Sequence, residues 1–206
     1  MINIRQHSAA IGFALSFVIL AIIFFPIFTS DYVYLDEAYQ LWHNQDGSDF
    51  MYFFVQGRWL SGKLFSYLFS HLATVSDLRL VRIFSFCSWA LFLEEFFRLG
   101  RKWQHVIGFD GILLLAGGIY IACCPSVAVY IGWGSCFVCG IANLLGLWSG
   151  HLFFSVLAKK GKFTLITSIS LLFGVFLGVA SLFTYQVGFS CFFLPFVFYF
   201  VKNRAG

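Results

Sequence analysis

Apolar runs close to 20 residues recur from end to end of this 206-residue chain. Each can cross a hydrocarbon core about 30 Å thick at 1.5 Å rise per residue. Composition agrees: 60% of residues are hydrophobic, 21% aromatic and only 11% charged. Soluble domains carry roughly 25% charged residues, because a small protein needs a polar shell. The pattern predicts an all-α, polytopic helical membrane protein built as one membrane domain. It excludes a disordered chain, a secreted disulfide scaffold and a cytosolic enzyme. A membrane β-barrel alternates polar and apolar residues, whereas Ala9–Phe28 is apolar on every face.

Six spans are predicted, at Ser8–Thr29, Arg82–Phe97, Val106–Cys124, Cys136–Ala158, Phe163–Phe183 and Val187–Val201. The first follows Arg5 but lacks an A-x-A cleavage site, so it reads as a retained span and not a signal peptide. Basic residues orient the set. With the N-terminus cytoplasmic, Arg5, Arg98, Arg101, Lys102, Lys159, Lys160, Lys162, Lys202 and Arg204 all fall inside. Arg58, Lys63, Arg79 and Arg82 fall in or beside one outer loop, Asp31–Val81, with most of the acidic residues. Because the basic residues follow topology, the formal charge of +4 points to membrane lipids and not to nucleic acid.

That loop has 51 residues and is rich in Tyr, Trp and Phe. Long loops of this kind often carry function. Asp36, Tyr39, Gln40 and His43 follow helical spacing and would share a face. Leu60, Leu64, Leu68 and Leu72 form a stripe, with Ser61 and Gly62 off it, suggesting a helix lying on the membrane surface.

Three constellations in this sequence bear chemistry. Asp36-Glu37 sets two carboxylates at a water–lipid boundary, where desolvation and mutual repulsion raise a pKa towards general-base values. The same residues also suit an acidic helix start. Gly57-Arg58-Trp59-Leu60, with Lys63 beyond, offers close backbone approach and a phosphate-matching guanidinium, or a basic start to an interfacial helix. Ser181-Leu182-Phe183-Thr184-Tyr185-Gln186 can hydrogen-bond a ligand or satisfy neighbouring helices. The six cysteines read as packing residues, and Cys136-x-x-Cys139 lies in an expected span without a helpful histidine, so no metal site is expected.

In order and placement, Tyr34-Leu35-Asp36-Glu37, Gly57-Arg58-Trp59-Leu60 and Tyr185-Gln186 resemble the GT-C superfamily of membrane glycosyltransferases. More narrowly, they resemble the bacterial glucosyltransferases that modify O-antigen and convert serotype. Glu37 stands where that family usually has aspartate, and Trp59 where proline is common. Its members are generally about twice as long, so the resemblance covers an N-terminal half. It implies transfer of a sugar, glucose above all, from a polyprenyl-phosphate donor to a surface glycan or its lipid-linked precursor. The setting would be the outer face of the bacterial inner membrane. Asp36 and Glu37 would be catalytic. Arg58 and Lys63 would hold the phosphate, and Tyr39, Trp59, Tyr185 and Gln186 would contact substrate. No metal or other cofactor is required, since the cations can stabilise the leaving phosphate. The alternative is a non-catalytic carrier, flippase or accessory subunit of glycan assembly, or a truncated inactive transferase.

Overall fold

The computed structural model describes residues 14–15, 17–43, 50–107, 116–117, 119–121, 123–158 and 164–204, with side chains excepted at 100–107 and 201–204. All regular structure among these residues is helical. The elements are α1 (Phe25–Thr29), α2 (Leu35–His43), α3 (Met51–Val55), α4 (Trp59–Phe69), α5 (Leu78–Ile107), α6 (Pro125–Gly132), α7 (Phe137–Leu157), α8 (Leu165–Thr184) and α9 (Leu194–Arg204). Short 3-10 segments at Val75–Asp77, Gly134–Cys136 and Gln186–Phe193 lead into α5, α7 and α9.

Among the described residues, two helices are long and apolar enough to cross a membrane: the continuous helical stretch Gly134–Leu157 and α8. They lie within one or two residues of the fourth and fifth expected spans. Along α8, Leu165, Ile166, Leu172 and Phe176 are each at least 65% exposed. A contiguous apolar face of this size is foreign to a soluble monomer.

The other expected spans take different forms. Helix in the first breaks at Phe24 and restarts with Pro26 at the first turn of α1, where its missing N–H costs nothing. In place of the second, one 30-residue helix starts four residues before Arg82. Asp77 fixes that start by accepting from the backbone N–H groups of Ala73 and Thr74 at 2.9 and 2.8 Å. In place of the sixth, the 3-10 segment Gln186–Phe193 gives way to α9. Most of the third lies outside the described residues, as do Arg5, Asp46, Asp49, Asp110, Lys159, Lys160 and Lys162.

Small residues let α7, α8 and the Gln186–Phe193 segment approach closely. A Cβ at Gly146 would sit 2.6 Å from the Gly188 carbonyl oxygen, and one at Gly150 still nearer that of Phe192. Gly174 and Gly178 repeat the four-residue spacing on α8 and face Phe153 and Ser149. Ser149 Oγ donates to the Gly174 carbonyl at 2.7 Å and Ser181 Oγ to that of Ala142 at 2.8 Å. Small residues and hydroxyls of this kind hold helices together where lipid removes the hydrophobic drive.

At the end of this pair where α7 begins and α8 stops, the aromatic loop forms its own core. Phe53, Phe65 and Phe137 pack ring to ring in series, with centroids 4.6 and 4.8 Å apart. The buried face of α4 is Ser61, Gly62, Phe65 and Phe69. The leucine stripe is only half-buried and flanks that face. Hence α4 packs on the bundle through its small and aromatic residues, with the Leu60–Leu72 stripe beside that face. Ser61 Oγ donates to the Thr184 carbonyl and ties α4 to the end of α8.

Candidate functional site

Every feature of the site grows from how α2 is seated. Glu37 is fully buried, and its carboxylate accepts from the Tyr34 N–H at 2.8 Å and from the Gly134 N–H. It also pairs with the fully buried Arg82 at 3.0 Å. Gly134 is needed for this approach, since a Cβ there would stand 2.8 Å from Glu37 Oε1. Arg82 in turn donates to the Tyr32 carbonyl at 2.7 Å and lies over the Tyr32 ring at 3.7 Å. Burial pushes the Tyr32 phenol up to about 12, against the lowering influence of Arg82. The neutral hydroxyl donates to the Gly132 carbonyl at 2.8 Å. Glu37, expected as a catalytic residue, therefore has its acceptor capacity engaged and holds α2 against α5 and the Gly134–Cys136 segment. Arg82, expected at the edge of the outer loop, is its buried partner.

Adjacent helical residues point about 100° apart, so fixing Glu37 inward turns Asp36 sideways. There Asp36 is exposed and lines a cleft of about 280 Å³ with Gln40, Tyr52, Gln56, Arg58, Trp133, Ser135 and Tyr185. Ser135 Oγ donates to Gln40 Oε1 at 2.6 Å, which leaves the Gln40 amide aimed at the Tyr52 hydroxyl, 3.4 Å away. Burial holds the Tyr52 phenol above its ordinary pKa, so it stays protonated at neutral pH. The indole N–H of Trp133 has no partner among the described residues.

Arg58 reaches the cleft from the opposite wall. The chain leaves α3 through Gly57, at φ +74°, where the Gly57 N–H bonds to the Phe54 carbonyl and the Arg58 N–H to that of Phe53. This is a Schellman cap, which calls for a left-handed residue. Glycine is thus required by φ and not by crowding, since a Cβ there would meet no protein atom within 4 Å. Replacing Gly57 by Ala is expected to cost about 1–2 kcal/mol, read as a lowered unfolding midpoint. Arg58 Nε then donates to Gln186 Oε1 at 2.8 Å, and the guanidinium lies 4.8 Å from the Tyr185 ring centroid. Gln186 closes the arrangement by donating to the Gln56 carbonyl at 3.2 Å.

The structure therefore brings Asp36, Arg58, Tyr185 and Gln186 together, and among the described residues Asp36 and Arg58 make no ion pair with each other. Three other expected site residues lie elsewhere. Lys63 rests 5.8 Å from the Phe54 ring centroid, Trp59 packs on Phe183, and Tyr39 stacks on His43. None of them lines the cleft. Ser181 and Thr184, fully buried, satisfy helix carbonyls. Sequence reasoning missed Gln40 as a cleft residue together with Tyr52, Trp133 and Ser135; the Trp133-Gly134-Ser135 break between apolar runs was the available signal. No group of three or more His, Cys, Asp or Glu among the described residues is arranged to hold a metal ion. Comparison of the chain with protein-family models, curated proteins and solved structures gives no match.

Proposed function

We propose that this chain is a polytopic membrane glycosyltransferase. It moves a sugar, glucose by the resemblance of its motifs, from a polyprenyl-phosphate donor to a surface glycan such as O-antigen or its lipid-linked precursor. The membrane is the bacterial inner membrane, crossed by six spans, with the N-terminus cytoplasmic and the cleft outside. One observation carries the reading: an exposed carboxylate, Asp36, and a positioned guanidinium, Arg58, line a single cleft at one end of the two apolar helices. The sequence places Lys159, Lys160 and Lys162 between those helices at their opposite end, as a cytoplasmic loop requires.

In this reading Asp36 takes the proton of an acceptor hydroxyl. The freed oxygen attacks the anomeric carbon, and the carbon–oxygen bond to phosphate breaks with its electron pair leaving on the lipid phosphate. Arg58 faces that growing charge, held in place by Gln186 and Tyr185. Gln40, Tyr52 and the Trp133 N–H offer hydrogen bonds to sugar hydroxyls. Charge stabilisation by a prealigned donor is often worth about 10²–10³ in rate. Arg58→Ala is accordingly expected to lower kcat about a hundredfold.

The test is transfer from polyprenyl-phosphate-glucose to lipid-linked O-antigen in proteoliposomes holding the purified full chain. Transfer that falls in Arg58→Ala supports the reading. No transfer by a folded wild-type chain, with the donor offered on either face, overturns it in favour of a non-catalytic assembly subunit.

A further inference from the structure

The cleft has a second chemical feature that glycosyl transfer leaves unused. Cys136 and Cys139 both line it, along with Ser135 and Val138. They sit one turn apart where the Gly134–Cys136 segment passes into α7. Neither is in a disulfide. Helical geometry sets their Cα atoms roughly 5 Å apart, inside the span of about 4.4–6.8 Å that a disulfide bridges. Cys136 is half-buried and Cys139 is buried. Two thiols within bridging distance at one cleft are what thiol–disulfide exchange needs. Of the other cysteines, Cys87 and Cys191 are absent from the cleft lining, as are Cys123 and Cys124.

We propose that Cys136 and Cys139 form a dithiol site whose ligands are small organic disulfides entering the cleft. One of the two thiols, as its thiolate, attacks one sulfur of the incoming disulfide, forming a mixed disulfide and expelling one thiolate, which takes up the proton that the attacking cysteine lost. The other cysteine, losing its proton, then attacks the sulfur of the first, closes the Cys136–Cys139 bond and releases the second thiol. Two protein thiols are oxidised and one disulfide is reduced to two thiols, so atoms and electrons balance. The site stands on the geometry of these two residues alone and does not depend on glycosyl transfer.

The probe is oxidised glutathione, added to the purified full chain in detergent, followed by N-ethylmaleimide and peptide mass mapping. The expected peptide spanning both cysteines is unalkylated and about 2 Da lighter than its dithiol form, and dithiothreitol reverses the change. In Cys136→Ser and in Cys139→Ser ring closure is impossible, and the glutathione adduct persists in the one that keeps the attacking thiol. Full alkylation of both residues in the wild type overturns the proposal. So does a glutathione adduct on either wild-type cysteine that never resolves.

Discussion

Glu37→Ala is expected to destabilise the protein by about 3–5 kcal/mol, the largest stability loss from any single polar substitution around the cleft. Removing the carboxylate leaves the Arg82 guanidinium fully buried without its counter-charge and orphans the N–H groups of Tyr34 and Gly134. A buried charge deprived of its partner is far costlier than the pair was favourable. Denaturant titration of the detergent-solubilised protein reads the loss directly. The double variant Glu37→Leu with Arg82→Met should recover most of it, because an apolar pair of similar volume avoids desolvating both charges. If Glu37→Ala unfolds at the wild-type midpoint, the buried pair is not what seats α2.

Asp36→Asn is expected to act the other way, on rate and not on stability. Asp36 is exposed, so the isosteric amide should leave the unfolding midpoint where it was. It cannot take a proton, and loss of a general base typically costs about 10²–10⁴ in rate. The effect should appear in kcat, with donor binding nearly unchanged because Arg58 and Gln186 are intact. Asp36→Asn with wild-type kcat would remove the carboxylate from the reaction, whatever the outcome for Arg58. Contrasting Asp36→Asn with Glu37→Ala separates two adjacent acids that sequence treats as one motif.

The limits of sequence reading show in particular residues. The two membrane-length helices were legible nearly to the residue, since uniform apolarity over 20 positions depends on nothing distant. The helix Leu35–His43 was legible too, but its inward face was not. Spacing grouped Asp36, Tyr39, Gln40 and His43, whereas the buried side is centred on Glu37, Gln40 and Leu41, which leaves Tyr39 and His43 exposed. At about 100° per residue those two lie on the far edge from Glu37. What turns the helix is Arg82, 45 residues away, and no local pattern encodes that partner. The same holds for the cleft wall at Trp133–Cys136 and for the Gln186 that aligns Arg58 across 128 residues. Long-range pairing decides which of several eligible polar residues become neighbours, and periodicity is blind to it.

The glycine seats on α7 have a mechanical consequence. Backbone meets backbone at Gly146 and Gly150, so the segment beginning at Gln186 has no compressible side chain beneath it. Gln186 is thereby an anchor set on a stiff beam, and the guanidinium it grips takes its bearing from that beam. The wall of the cleft that carries the guanidinium is therefore built on backbone contact, whereas the wall that carries the carboxylate is built on a buried ion pair.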